Sequence, residues 1–303
     1  MKLNVKNETS RLRAVVLGTA QSNGPVPDIA EAYDPKSAEH IRRGTYPLEA
    51  DMITEIESVA QVLDRYEVQV FRPKLIEDYN QIFTRDIGFV IDDKFIKANI
   101  LPDRDQEIEA ISHVLDEIGK EHIISLPKDA HVEGGDVILH DDYLFIGSYY
   151  GPDYPDLITA RTNLRAVHYL TELFPDKKVK SFNLKKSNTE ARENALHLDC
   201  CFQPVGRNKA IIYPGGFLDQ EEYKWLVALF GKENIFEITR DEMYHMNSNI
   251  FSISPEVVIS ERNFRRLNTW MEDNGIKVEK VPYAEIAKQE GLLRCSTLPL
   301  IRD

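Results

Sequence analysis

The stretch that decides the fold is Gly291-Leu-Leu-Arg-Cys-Ser-Thr-Leu-Pro-Leu-Ile-Arg302, close to the C-terminus. Chain ends usually fray, yet residues 296–301 have the composition of a half-buried strand. Such a strand needs a partner, and the first apolar run of the chain, Arg13-Ala-Val-Val-Leu-Gly18, provides one. We therefore expect the two ends of the chain to pair in one sheet and to hold Cys295 in place.

A unit of hairpin, helix and strand recurs along the chain. In the first copy, residues 88–91 and 95–98 form the hairpin, apolar residues from 108 to 118 recur at helical spacing, and residues 123–126 form the strand. The second copy has a hairpin at 137–139 with 143–147, a helix at 156–174 and a strand at 179–184. The third has a hairpin at 198–205 with 210–213, a helix at 219–230 and a strand at 235–239. The fourth has a hairpin at 249–253 with 257–260, a helix at 264–274 and a strand at 276–281. A fifth copy exists only when the chain ends pair, since it combines that pair with a helix over 52–63 and a strand over 68–71.

Five such units, closed by the chain ends, predict a ring of small radial sheets that forms a single α/β domain over residues 1–303. Closure hides sheet edges that would otherwise invite aggregation. An open α/β sheet is the alternative that the same elements allow. It predicts single strands between helices, whereas this repeat contains hairpins, so we favour the ring.

Short polar clusters occur at the same point of each repeat, where its hairpin begins. The clusters contain Asp86, then Glu133 and Asp136, then His197 and Asp199, then Asn247 and Asn249, and finally Cys295. In a pseudo-symmetric ring, equivalent points lie at one end of the axis. The sequence therefore predicts a polar pocket there.

Composition restricts the class of protein. The 303 residues are 42% hydrophobic and 29% charged, contain no run long enough to span a membrane, and begin without an apolar secretory segment. Three cysteines, two of them adjacent, give no disulfide framework, so we expect a cytoplasmic protein. A net charge of −13 argues against nucleic acid as a partner. It suits a cationic small molecule, although acidic solubility is the simpler explanation and the one we favour.

Cys295 is the cysteine with the best setting for a nucleophile, because a thiolate attacks well when a cation stabilises it. The alternative is a small buried hydrophobe. His197 could serve as its general acid and base, and Glu133 could fix the imidazole tautomer. If residues 198–205 form a strand, His197 and Asp199 point to the same face. A zinc site at His-Leu-Asp-Cys-Cys201 is disfavoured, since the cysteine spacing is wrong and no second cluster exists.

Several carboxylates around one thiol are costly to bury unless a positive group joins them. A planar guanidinium is the ligand that suits such a group of acids, because carboxylates bind its N–H groups in bidentate fashion. Each acid also has a structural explanation: Asp86 can cap a turn, and Asp136 can accept hydrogen bonds from backbone amides near Gly134-Gly135.

The ordered set Phe83-Thr-Arg-Asp86, Glu133-Gly-Gly-Asp136, His197-Leu-Asp199 and Cys295-Ser-Thr-Leu-Pro-Leu300 resembles the guanidino-group-modifying superfamily. Its members include arginine deiminases, dimethylarginine dimethylaminohydrolases, agmatine deiminases and amidinotransferases. The resemblance runs from about Arg13 to Arg302 and implies a five-bladed pseudo-symmetric α/β propeller. That fold agrees with the repeat count.

The resemblance also implies roles for individual residues. Cys295 would be the nucleophile, His197 the general acid and base, and Glu133 its orienting carboxylate. Asp86 and Asp199 would bind the guanidinium of the substrate, and Asp136 would support them. Asn249, from the fourth repeat, is a further candidate for substrate binding. Arg161 belongs to an Arg-Thr-Asn helix start and would bind a substrate carboxylate. The alternative for Arg161 is a solvated helix residue.

The implied reaction passes through a covalent thiouronium on Cys295 and needs no metal and no organic cofactor. Water as the second nucleophile makes the enzyme a hydrolase, whereas an amine makes it an amidinotransferase. Glu-Gly-Gly-Asp136 and the C-terminal motif favour the hydrolase. The loop Lys288-Gln-Glu-Gly-Leu-Leu-Arg294 departs from the glycine-rich loop of arginine deiminases, so a modified or decarboxylated guanidine stays open as substrate.

Three further expectations concern partners and mobile parts. Residues 19–45 form a long polar connection that suits an active-site lid. A propeller that binds guanidinium without turnover is the non-enzymatic alternative. The sequence leaves a homo-oligomer open.

Overall fold

A computed structural model describes residues 1–303. Its strands are β1 Leu12–Leu17, β2 Gln69–Phe71, β3 Gly88–Ile91, β4 Lys94–Lys97, β5 Ile123–Ser125, β6 Val137–His140, β7 Tyr143–Ser148, β8 Lys178–Asn183, β9 Phe202–Val205, β10 Lys209–Ile212, β11 Ile235–Glu237, β12 Phe251–Ser254, β13 Val257–Glu261, β14 Lys277–Val281 and β15 Thr297–Arg302. Its helices are α1 Pro35–Arg42, α2 Glu49–Arg65, α3 Gln106–Ala110, α4 Ser112–Asp116, α5 Leu164–Leu173, α6 Gln220–Phe230, α7 Arg240–Tyr244 and α8 Arg265–Asp273. None of these helices combines the length and apolarity that a membrane crossing needs.

The strands form five sheets of three strands, and every sheet has the same plan. An antiparallel hairpin supplies two strands, and the chain returns after a helix to add a third strand parallel to the middle one. We number the blades in chain order: blade 1 is β3–β5, blade 2 β6–β8, blade 3 β9–β11 and blade 4 β12–β14. Blade 5 is formed by β15, β1 and β2. The predicted five-bladed α/β propeller is confirmed.

Blade 5 closes the ring through the two ends of the chain. β15 runs antiparallel to β1, with Val15 opposite Pro299 and Leu17 opposite Thr297. β2 runs parallel on the other side of β1, with Val15 opposite Val70. This pairing joins the last strand of the chain to the first, as the sequence predicts.

The hydrophobic core lies between neighbouring blades. Strand β1 shows this arrangement, because both of its faces are buried. Alternate side chains of a strand point to opposite faces. Val15 and Leu17 accordingly join a cluster with blade 4, whereas Ala14 and Val16 join a cluster with blades 1 and 2. Helix α2 buries Met52, Ile56, Val59 and Leu63, which recur at helical spacing, in the first of these clusters.

Three predicted elements are wrong in extent. Residues 198–200 form a short 3₁₀ turn, not a strand, because the Leu198 amide donates to Asp136 at 2.8 Å and the Cys200 amide turns back to the His197 carbonyl at 3.1 Å. The expectation that His197 and Asp199 share one strand face therefore fails.

The helix predicted over 156–174 begins only at Leu164. Asn163 caps it, since its side chain accepts a hydrogen bond from the Ala166 amide at 3.0 Å. Thr162, just before the cap, bonds to another segment, since its carbonyl accepts a hydrogen bond from the Tyr149 amide at 3.1 Å. The helix predicted over 108–118 is also interrupted, and it becomes α3 and α4 with Ile111 between them.

Loss of a core side chain in the closing strand should destabilise the whole ring. Leu298 is fully buried opposite Val16, so we expect Leu298→Ala to lower the free energy of unfolding by about 2–5 kcal/mol. Chemical denaturation measures this change. Leu48→Ala, at a position 64% exposed, is the control and should change stability by less than about 0.5 kcal/mol. Equal effects of the two substitutions would contradict the closing role of β15.

Candidate active site

All the predicted site residues except Arg161 lie at one point of successive blades, just before the first strand of each. They are Asp86 before β3, Glu133 and Asp136 before β6, His197 and Asp199 before β9, Asn249 before β12, and Cys295 before β15. Direct hydrogen bonds and ion pairs link residues of different blades, as described below. The ring therefore brings together groups that are far apart in the chain.

Cys295 is buried and is held by Asn249. The Asn249 side chain accepts a hydrogen bond from the Cys295 amide at 3.1 Å and donates its Nδ2–H to Sγ, also at 3.1 Å. Burial raises the pKa of the Cys295 thiol well above its usual value, and the negative charges of Asp199 and Asp86 raise it further. The resting thiol is therefore neutral, and a cation beside it would be needed to stabilise the thiolate.

Asp199 lies behind the sulfur and is bound by an arginine. Its Oδ2 is 3.7 Å from Cys295 Sγ and accepts a hydrogen bond from Arg294 Nη1 at 2.8 Å. Arg294 is fully buried and also binds Glu8, with Nη2 to Oε1 at 3.0 Å and Nε to Oε2 at 3.2 Å. Asp199 does not line the cavity described below, so the structure places it beside the thiol and not on the cavity wall.

His197 and Glu133 form a buried pair. His197 Nε2 is 2.8 Å from Glu133 Oε2, and Nδ1 is 3.8 Å from Asp86 Oδ1. Burial by itself would lower the pKa of His197, but the surrounding carboxylates, Asp86 and Glu133 above all, outweigh it and raise that pKa. The imidazole is thus kept ready as a proton donor.

Glu133 stays ionised because arginine binds it. Both Glu133 oxygens accept hydrogen bonds from Arg161 Nη1, at 3.0 and 3.1 Å. Burial alone would raise the pKa of Glu133, yet the charge of Arg161 and the hydrogen bond from His197 hold it far below its usual value. A fixed negative charge therefore orients the imidazole.

Gly135 allows the imidazole to lie where it does. A Cβ at this position would stand 2.6 Å from His197 Nδ1, a distance that real Cβ atoms do not tolerate. The second glycine of Glu133-Gly-Gly-Asp136 thus has a steric reason at the candidate histidine.

Asp86 presents one open carboxylate oxygen. Its Oδ2 accepts from Arg104 Nη1 at 2.9 Å, whereas Oδ1 is buried and has no hydrogen-bond partner. Burial is the largest influence on the pKa of Asp86 and, with the charge of Glu133, raises it against the effects of His197 and Arg104. A bound cation would satisfy the open oxygen and favour the ionised form.

Asp136 and Arg161 have internal roles in this structure. Asp136 holds the turn at 198–200 through the Leu198 amide and does not reach the cavity. Arg161, predicted to hold a substrate carboxylate, lines the cavity but directs its guanidinium to Glu133. It is 2% exposed, so the alternative of a solvated helix residue is wrong.

A cavity of about 690 Å³ opens above the thiol. Four of the predicted residues line it, namely Asp86, Arg161, His197 and Cys295. Residues 23–37 form much of the opposite wall, and Arg161 Nη2 donates to the Tyr33 carbonyl at 2.8 Å. The stretch predicted as a lid therefore lies at the cavity; its closure stays a prediction.

Asp86, Glu133 and His197 offer ligand atoms within 4.8 Å of one another, a spacing that a metal ion could use. The charges already present argue for a different role. Arg104 contacts Asp86 at 2.9 Å and lies 3.9 Å from Glu133, which Arg161 also binds. These arginines supply the positive charge that an ion would bring, so we interpret the trio as a proton-transfer group.

Sequence reasoning missed three residues that hold the site. Arg104 bridges Asp86 and Glu107, and its position after β4 carries no motif. Glu8 lies in a polar N-terminal segment that gave no signal. Arg294 is adjacent to Cys295, and that adjacency was the one signal that could have identified it.

Comparisons with known proteins show the family of the chain. The family model for N,N-dimethylarginine dimethylhydrolase, eukaryotic, matches residues 38–302. The chain belongs to this dimethylarginine dimethylhydrolase family. It is therefore a member of the guanidino-group-modifying superfamily.

Individual proteins similar to this chain share about a third or less of its residues in the matched region. The uncharacterized protein YkgA of Bacillus subtilis (strain 168) is 31% identical over 223 residues, which cover 73% of this chain and 70% of that protein. The arginine deiminase of Mycoplasma capricolum subsp. capricolum is 27% identical over 210 residues, which cover 58% of this chain and 48% of the deiminase. This chain thus matches about half the length of that enzyme.

Among solved structures, the product-bound N-terminal domain of ArgZ, an arginine dihydrolase from the ornithine–ammonia cycle in cyanobacteria, superposes with a TM-score of 0.78. The match covers 95% of this chain and 97% of that domain at 18% identity. At such identity, the likeness shows the shared fold alone.

Substitution of Gly135 tests the steric argument at this candidate active site. Gly135→Ala should displace the His197 ring and lower kcat by roughly 10²-fold, the cost of a misplacement near 1 Å. Turnover of a guanidine substrate measures it. Gly119→Ala is the matched control, because its Cβ meets only the far end of the exposed Glu121 side chain. Unchanged kcat in a folded Gly135→Ala enzyme would contradict the role given to this ring position.

Proposed function

We propose that the protein is a cysteine-dependent hydrolase that cleaves a C–N bond of a guanidinium group through a covalent thiouronium on Cys295. The observation that carries the proposal is the cavity in which the Cys295 thiol, the open Asp86 oxygen and the His197 imidazole meet. A flat cation bound there satisfies Asp86 and offsets the negative charge that keeps the thiol neutral.

The first half of the reaction follows from these contacts. The guanidinium binds at Asp86, and its charge lowers the pKa of Cys295, so the thiol proton leaves to water. The thiolate attacks the central carbon, while Asn249 Nδ2–H stays hydrogen-bonded to the sulfur before attack. His197, protonated because of Asp86 and Glu133, donates its proton to the departing nitrogen. Ammonia or an alkylamine leaves, and the thiouronium remains.

The second half returns the enzyme to its starting state. Neutral His197 takes a proton from a water molecule, which attacks the thiouronium carbon. Collapse of the adduct forms the C=O bond, loses the hydroxyl proton to water and breaks the C–S bond, which releases a urea-type product. The Cys295 thiolate then takes a proton from solvent and becomes the neutral thiol again. Glu133 keeps the imidazole in one orientation through both halves, since Arg161 holds its carboxylate.

Water as the second nucleophile is supported by the family to which the chain belongs and by its similarity to an arginine deiminase. An amine acceptor in place of water would make the enzyme an amidinotransferase. Product analysis with and without an added amine separates the two, because only the transferase requires the amine for release of the adduct.

Acid quenching during turnover should trap the proposed intermediate. Mass spectrometry should place an adduct on Cys295, and Cys295→Ala should lack the adduct and lose roughly 10⁶-fold in kcat, as expected when a nucleophile is removed. Cys200→Ala is the matched control, because Cys200 is an equally buried thiol outside the cavity. An adduct on Cys200 or Cys201 would refute the assignment.

The ionisation of Cys295 should depend on the bound cation. A thiolate absorbs in the ultraviolet, and the part of this absorbance that the wild type shows and Cys295→Ala lacks comes from Cys295. In the ligand-free enzyme, this part should appear only when the pH is raised above 9.0, the usual pKa of a thiol. A guanidinium compound that cannot be cleaved should shift this rise to lower pH, since it offsets Asp86 and Asp199. A thiolate at neutral pH in the ligand-free enzyme would contradict the proposed activation by substrate.

A further inference from the structure

The backbone on both sides of His197 is held by side chains of opposite charge. The Leu196 carbonyl, part of the peptide group before His197, accepts a hydrogen bond from Lys186 Nζ at 2.6 Å. The Leu198 amide, part of the peptide group after His197, donates to Asp136 Oδ1 at 2.8 Å. Between these two contacts the backbone of His197 is extended. A lysine and an aspartate therefore fix the segment from which the imidazole projects.

Lys186 follows β8 and reaches this segment with more than one hydrogen bond. Its Nζ also donates to the Ala195 carbonyl at 3.0 Å. An ammonium group has three N–H donors and no acceptor, so it can bind two successive carbonyls at once. Neither Lys186 nor Asp136 lines the cavity. Both therefore act on His197 from outside the space that a substrate would occupy.

Lys186 and Asp136 also affect each other's ionisation. Asp136 is fully buried, and its Oδ2 has no hydrogen-bond partner. Burial raises the pKa of Asp136, and the positive charge of Lys186 is the largest influence that opposes this rise. Burial likewise lowers the pKa of Lys186, and the charge of Asp136 is the largest influence that opposes this fall. The two charges thus stabilise each other across the His197 segment.

Asp136 is one of three carboxylates that prepare His197 as a proton donor. Together with Asp86 and Glu133, its charge raises the pKa of the imidazole against the effect of burial. An arginine binds each of the other two acids, whereas Asp136 depends chiefly on Lys186 for its positive neighbour. The remaining charged or titratable groups around these side chains are Arg104, Arg161, Cys200, Cys201 and Cys295.

We propose that Lys186 is a positioning residue for proton transfer by His197: it holds the peptide group before the imidazole directly, and it supports the one after it through the negative charge of Asp136. This inference rests on the proposed function, in which His197 donates a proton to the departing nitrogen. Loss of Lys186 would release the carbonyls of residues 195 and 196 and would favour protonation of Asp136. The imidazole would then lose both its orientation and part of its affinity for a proton.

Lys186→Met tests the proposal, because methionine keeps an unbranched side chain and lacks the ammonium. We expect kcat to fall at least about tenfold, since a small displacement of the proton donor is costly, whereas KM should change less than about threefold. Release of alkylamine from N,N-dimethylarginine and of ammonia from L-arginine measures both constants. Lys186→Arg keeps a positive charge and several N–H donors, so it should recover most of the lost kcat.

The titration of His197 gives a readout that a merely structural role would not move. Its NMR signal, identified by its loss in His197→Asn, should titrate at lower pH in Lys186→Met than in the wild type. The reason is that protonation of Asp136 removes a negative charge that favours the imidazolium. Since the imidazolium is the acid of the first half-reaction, kcat should also decline at lower pH in this variant.

Two further variants separate the charge from the fold. Asp136→Asn removes the charge, while its amide oxygen can still accept the Leu198 amide, so the His197 titration should again move to lower pH. Adding Lys186→Met to Asp136→Asn should move it no further down, because both substitutions act through one charge. Lys185→Met is the matched control, since the Lys185 side chain is 41% exposed, pairs with Glu193 and lies outside the cavity. It should change neither kcat nor the titration.

The outcomes separate this inference from the function on which it rests. In a folded Lys186→Met enzyme, a kcat near the wild-type value would overturn the inference, and so would a His197 titration that is unchanged or moves to higher pH. An equal loss of kcat in Lys185→Met would overturn it as well. An adduct on Cys295 would still support the hydrolase in each of these cases. If neither guanidine is consumed or labels Cys295, the proposed function fails, and the positioning role fails with it.

Discussion

The antiparallel pairing of β15 with β1 is the contact on which the rest of this structure depends. It joins residues about 285 positions apart in the sequence, and through it the fifth blade completes the ring. Cys295 lies two residues before β15, so the same pairing that closes the propeller also fixes the proposed nucleophile. Its entropic cost is modest, because the cost of closing a loop grows only slowly with length. The pairing also buries β1 on both faces in the hydrophobic core, which stabilises the ring.

Around the cavity, three buried arginines bind carboxylates, and two of them each join a pair of acids. Arg294 joins Glu8 and Asp199, Arg161 binds Glu133, and Arg104 joins Asp86 and Glu107. Buried ion pairs contribute little net stability, because desolvation offsets much of the attraction. Their value here is orientation, since each one fixes a carboxylate whose direction the proposed chemistry requires.

The electrostatics of the thiol and of the imidazole are opposed in the resting site. The same carboxylates that raise the pKa of His197 also raise the pKa of Cys295, so the acid is prepared while the nucleophile stays neutral. A guanidinium resolves this opposition because it brings positive charge to the carboxylates. Selectivity and activation would then share one cause, and anions or neutral molecules that enter the cavity would not produce a reactive sulfur.

The sequence alone determined the repeat, the pairing of its ends and the phase at which Asp86, Glu133, His197 and Cys295 occur, because hydrophobic periodicity and short motifs are local properties. It did not determine the partners of those residues. Asp199 bound to Arg294, Arg161 bound to Glu133 and the 3₁₀ turn at 198–200 all arise from contacts between blades. The open oxygen of Asp86 was equally invisible in the chain, since a carboxylate oxygen is known to lack a partner only when its neighbours in space are known. Local order in the sequence thus fixed which groups face the axis, whereas ring closure decided which of them neutralise one another and which remain for a ligand.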